Sequence, residues 1–134
     1  MPNTPNIQLD IRLGGSSDPG WVNVPASNGQ VYGYLYTGGD DGAGGLVQTV
    51  NQGRDTAPLR VNADRRYQLN SSSPCVFKDD PNNQLSWVGQ SPYAGSIIDA
   101  NTAVENAEYT INITDTGNGN CNIRCDPTVK NQPY

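Results

Sequence analysis

The chain has 134 residues, a net charge of −5, 34% hydrophobic residues and no histidine, and its 15 glycines and 10 prolines favour turns over long elements. Lacking imidazole, it cannot build a Ser-His-Asp or Cys-His nucleophile or a His-ligated zinc site. The acidic balance, with lysine only at positions 78 and 130, argues against nucleic-acid binding, which needs a Lys/Arg surface.

The opening "MPNTPNIQLD" has neither a basic n-region nor an apolar h-region. No apolar run approaches the roughly 20 residues that span a bilayer. A soluble, cytoplasmic protein with no membrane partner is expected. In "NIQLDIRLGG", Ile7, Leu9, Ile11 and Leu13 alternate with Gln8, Asp10 and Arg12, the period of a half-buried strand. "SSDPGW" reads as a loop ending at Trp21. "GQVYGYLYTGG" is rich in β-formers and puts Tyr32, Tyr34 and Tyr36 on one face, with Val31, Gly33 and Leu35 on the other. Period alone leaves open which face meets the core. We expect the tyrosines inside; exposed, they would form a sugar-stacking or protein-contact stripe. Tyr32, Tyr34, Tyr36 and Trp21 are therefore the candidate binding residues.

"GGDDGAGG" is a flexible loop carrying Asp40 and Asp41. "GLVQTVN", "LRVNADRRYQLN", "CVFKD" and "LSWVGQ" are short strands bounded by Gly, Pro, Asn or Asp, with Trp87 read as a core residue. Asp79 and Asp80 form a second acidic pair between the last two. "SIIDANTAVENAEY" fits a short turn of helix or a loop equally. "EYTINITD" puts Tyr109, Ile111 and Ile113 on one face, and "CNIRC" does the same for Cys121, Ile123 and Cys125.

The joining "DTGNGN" begins like a calcium loop, but an EF-hand needs oxygen ligands at the third and fifth positions and glutamate at the twelfth. Gly117, Gly119 and Asp126 stand there, so the stretch reads as a hairpin turn using positive φ. Cys121 and Cys125 lie about 13 Å apart along a strand, beyond the ~7 Å reach of a disulfide. With Cys75 they read as reduced, core-facing thiols. Asp40, Asp41, Asp79 and Asp80 are the candidate metal ligands, for calcium; no other cofactor is implied. Paired carboxylates could serve glycoside hydrolysis, but nothing marks an acid with a raised pKa, and enzymatic activity is not expected.

These elements make a single all-β domain over 1–134, an antiparallel β-sandwich of immunoglobulin-like or jelly-roll type with about seven to nine strands, a small barrel being the alternative. The ending "CNIRCDPTVKNQP", with its Asp126-Pro127-Thr128, resembles that of the bacterial inclusion-body (PixA/AidA-type) β-sandwich family. "YGYLYTGGDDGAGGLVQTV" and "RVNADRRYQL" are loosely similar to that family's aromatic strand, glycine-rich loop and following strands. The resemblance implies a soluble bacterial protein without catalytic residues, linked to accumulation as inclusions. The expected function is thus self-association as a homo-oligomer, with a carbohydrate-binding module or lectin as the alternative and a glycan as its partner.

Overall fold

The computed structural model describes residues 6–39, 47–48, 55–78, 85–100, 108–125 and 132–133. Its strands are β1 (Ile7–Leu13), β2 (Val22–Pro25), β3 (Val31–Gly38), β4 (Val47–Gln48), β5 (Asp55–Val61), β6 (Tyr67–Leu69), β7 (Cys75–Lys78), β8 (Leu85–Ser91), β9 (Ala94–Asp99), β10 (Glu108–Asp115), β11 (Cys121–Cys125) and β12 (Gln132–Pro133). Among the described residues there is no helix.

One sheet has six strands in the order β2-β3-β1-β5-β9-β8. The second runs β11-β10-β6, and β7 pairs with the other half of β10 on the side of β6. The two sheets pack as an all-β sandwich. Its ladders are antiparallel except for β1–β5 and the short β4–β12 pair, which are parallel.

The strands exceed the expected number for local reasons. "LRVNADRRYQLN" divides into β5 and β6 because Asn62–Arg66 turn, with the Tyr67 N–H donating to the Asp64 carbonyl at 3.0 Å. Val22–Pro25 is a short strand hidden between two turns. Residues 96–99 of the ambiguous "SIIDANTAVENAEY" are extended in β9, where Ile97 pairs with Trp87 and Ala57. Positions 101–107 lie outside the described residues.

Alternation sets the core. Ile7, Leu9 and Ile11 of β1 are buried with Ala57, Leu59 and Val61 of β5, and Ile97 of β9 joins them. From the opposite sheet come Tyr67, Leu69, Tyr109, Ile111, Ile113, Cys121, Ile123 and Cys125. Leu13, at the end of β1, is 46% exposed, so the inward face of that strand stops at Ile11.

Candidate functional site

The three tyrosines of β3 point inward. Tyr32, Tyr34 and Tyr36 are all buried, so they form no open stacking stripe. Their ring edges meet neighbouring faces: Tyr32 against Tyr67 at 6.3 Å, Tyr34 against Tyr36 at 5.8 Å, and Tyr36 against Tyr109 at 5.8 Å, all near perpendicular. Such pairs contribute about 0.5–1.5 kcal/mol each beyond the area they bury. A buried phenol also needs a polar partner. The Tyr36 hydroxyl donates to the Cys125 carbonyl, and the Tyr32 hydroxyl donates to Asp115 Oδ2 at 2.6 Å.

Asp115 is the unexpected centre of this region. It follows Ile113 by two positions, so the strand period turns it inward, and its side chain is fully buried. Arg66, just before β6, meets it with two parallel N–H groups: Nε to Oδ1 at 2.7 Å and Nη2 to Oδ2 at 2.9 Å. The Gly117 N–H adds a bond to Oδ1 at 3.0 Å. With Tyr32, four donors meet the four lone-pair positions of one carboxylate.

Burial pushes the Asp115 carboxyl up, but the Arg66 guanidinium, then the Tyr32 hydroxyl and the Gly117 N–H, more than offset it, and the group lies below its ordinary value. Burial, and then the hydrogen bond to Asp115, push the Tyr32 phenol well up.

The turn grows from this residue. The N–H groups of Asn118 and Asn120 donate to the Asp115 carbonyl at 3.2 and 3.1 Å, and Gly119 and Asn120 take φ of 68° and 58°. The expected hairpin is therefore formed, and its first acid is a structural anchor. Asn118 Nδ2 donates to the Tyr32 hydroxyl at 2.9 Å, and Cys121 Sγ lies 3.3 Å from the same oxygen. A carboxylate so fully occupied is suited neither to bind a cation nor to take a proton from a substrate.

The thiols are free, with Cys121 and Cys125 buried on one face as their spacing predicts. Cys75 and Cys125 both pair with Ile111, from opposite sides of β10, which puts them two strand spacings, about 10 Å, apart. Burial pushes the Cys75 thiol up to about 12, which leaves it protonated and unreactive at neutral pH.

Trp21 is half-buried, and the Arg12 guanidinium lies over its ring at 4.2 Å. Arg12 also pairs with Asp18 at 3.1 Å, both side chains exposed, so this is a surface stack tying the loop to β1. The acidic candidates Asp40, Asp41, Asp79 and Asp80 lie outside the described residues. Among the described residues no three acidic or thiol groups cluster as metal ligands.

Two features had a signal in the sequence that composition hides. Asp115 sits at the inward parity of "YTINITD", which a strict alternation count would reveal. The other is the edge strand β8, "LSWVGQS", which contains no charge and no proline. Trp87 packs against the core from this strand, while Val88 on the opposite face is 48% exposed. No protein-family model matches the sequence, and no curated protein matches it.

Proposed function

We propose that the protein acts by self-association, with β8 of one subunit pairing antiparallel to β8 of another across a two-fold axis. The observation that supports this is the contrast among the described sheet edges. Proteins blunt an edge with lysine or arginine, proline, bulges or brevity. β2 has four residues and ends at Pro25, β6 has three, β7 carries Lys78 and β11 carries Arg124. From Ser86 to Ser91, β8 has only the irregularity between Gly89 and Ser91. Pairing there would extend two six-stranded sheets into one and give the exposed Val88 cross-strand neighbours on the outer face. The surface would be the same patch on both subunits, as two-fold symmetry requires.

The resemblance to the inclusion-body family agrees with this reading, since accumulation needs repeated contact between copies. Its most specific residues, Asp126-Pro127-Thr128, lie outside the described residues. The role is non-enzymatic. Sedimentation velocity over a hundredfold concentration range should reveal a dimer or larger species that Val88→Lys shifts toward monomer. A wild-type chain that stays strictly monomeric at the highest concentration overturns the proposal.

A further inference from the structure

A pocket of about 290 Å³ opens beside β8, between the end of β6 and the turn that follows β8. Gln68, Asn70, Ser71, Trp87, Ser91 and Pro92 are among its lining residues, and no charged side chain lines it. Its size is at the lower end for ligand pockets, about 300 Å³.

The Trp87 ring is held as a platform. Trp87 pairs across the ladder with Ile97, a fully buried core residue, so it stands on the inner face of the sheet. The same face carries Gly95, whose partner on β8 is Gly89. A Cβ placed on Gly95 would lie 2.1 Å from Trp87 Cζ2, 2.6 Å from Cη2 and 2.7 Å from Cε2. The two carbons flanking Cζ2 lie only about 0.5 Å farther away than Cζ2 itself, too little for an approach in the plane of the ring, so the Cβ would come down over the ring face. One face of the indole therefore rests flat on the glycine backbone, as only a residue without a side chain permits. The ring is only partly buried, and Trp87 is one of the residues that line the pocket.

The surrounding amides are oriented by their own contacts. Gln68 Nε2 donates to the Tyr93 hydroxyl at 3.2 Å, and that hydroxyl donates to the Arg65 carbonyl at 2.9 Å. Asn70 Nδ2 donates to Thr114 Oγ1 at 3.2 Å, while its Oδ1 accepts the Ser72 and Ser73 N–H groups at 2.9 Å each. An immobilised aromatic face gives flat apolar area at low entropic cost. Uncharged amides and hydroxyls at its border suit a ligand that is itself neutral and rich in hydroxyls.

We propose that this pocket binds a neutral saccharide, with one sugar ring stacked on Trp87. The site shares β8 with the self-association edge but lies on the inner face of the strand, whereas Val88 stands on the outer face.

The test is a glycan array bearing neutral hexose- and N-acetylhexosamine-terminated glycans beside sialylated and sulfated counterparts, followed by titration of the best neutral glycan. Neutral glycans should bind, and Trp87→Ala should weaken binding at least about tenfold, the equivalent of ~1.4 kcal/mol. Because Trp87→Ala also removes packing, Trp87→Tyr should keep measurable affinity on the same fold, checked by circular dichroism. Gly95→Ala, which lifts the ring, should weaken binding with Trp87 still present. Val88→Lys should leave binding unchanged, so loss of glycan binding and loss of self-association are separable. No neutral glycan bound, binding confined to charged glycans, or affinity indifferent to Trp87→Ala each overturns the proposal.

Discussion

The corner where β10 turns into β11 and the edge formed by β8 handle unpaired polar groups in opposite ways. At the corner, the buried Asp115 carboxylate receives Arg66, Tyr32 and the Gly117 N–H. Beside it, the Ser27 N–H donates to the Asn122 carbonyl and the Asn122 N–H to Ser27 Oγ, closing that side of the sandwich between the sheets. The β8 edge holds no charge and has no strand on its outer side among the described residues. In the first region the Asp115 carboxylate finds all its partners within the chain, although the Asn122 Oδ1 beside it is buried without one among the described residues. The other is the edge at which the proposed partner strand would add. If β8 pairs as proposed, an anchored corner and an adhesive edge coexist in one chain with a modest core.

The sharpest way to break this contrast is to empty the corner. Asp115→Ala strips Tyr32, Arg66 and the Gly117 N–H of their shared acceptor, and should destabilise the fold by about 2 kcal/mol, chiefly by leaving the buried Tyr32 hydroxyl without its acceptor, since Arg66 is partly exposed and can turn to water. Urea unfolding would measure it; a change below about 0.5 kcal/mol would mean that the corner is not an anchor. Acid acts on the same group. Because Asp115 titrates below its ordinary 3.8 in the folded state, its contribution is complete above that pH and lost as pH falls through the folded value. Asp115→Asn should flatten the acid limb of the stability profile. At the other extreme, Tyr32 and Tyr36 titrate above 10.0 when folded, and Cys75 rises from 9.0 to about 12. Their contributions are complete below pH 9 and lost as pH climbs through the raised values, so alkaline unfolding should follow. Thermal melts across pH 2–12 would map both limbs.

A comparable or smaller effect should follow at the β8 side. In Gly95→Ala the new methyl meets the Trp87 ring at 2.1 Å, and the core Ile97 opposite Trp87 limits how far the ring can withdraw. Overpacking of this kind costs typically about 1–3 kcal/mol. Tryptophan emission should shift red as the ring moves toward water, and placing the change in a Trp21→Phe background assigns the signal. An unshifted spectrum with unchanged stability would show that the ring is not seated on Gly95.

Much of this was readable before the fold. The inward sets Ile7, Leu9 and Ile11, then Tyr109, Ile111 and Ile113, then Cys121, Ile123 and Cys125, follow from the two-residue period alone. The face of the tyrosine strand did not follow, because both of its faces carry apolar residues. What turns the rings inward is distant in sequence: Asp115 for Tyr32 and the Cys125 carbonyl for Tyr36. The parallel β1–β5 pair was equally hidden, since ladder direction depends on the route of the chain between strands. Gly95 in "YAGSII" looks like ordinary turn chemistry until Trp87 is found lying on it.

The last test separates the edge from the fold that carries it. Val88 is on the exposed face of β8, so Val88→Lys buries nothing and removes little packing; at dilute concentration the unfolding free energy should move by less than about 0.5 kcal/mol. Self-association links stability to concentration, because a partner that binds only the folded chain raises the midpoint by mass action. The wild-type melting temperature should therefore climb as the protein is concentrated. The variant should not follow it, since a two-fold pair would bring two lysines onto one uncharged edge. Parallel slopes for the two proteins would assign the concentration dependence to another surface, whereas a flat variant beside a rising wild type locates it at β8.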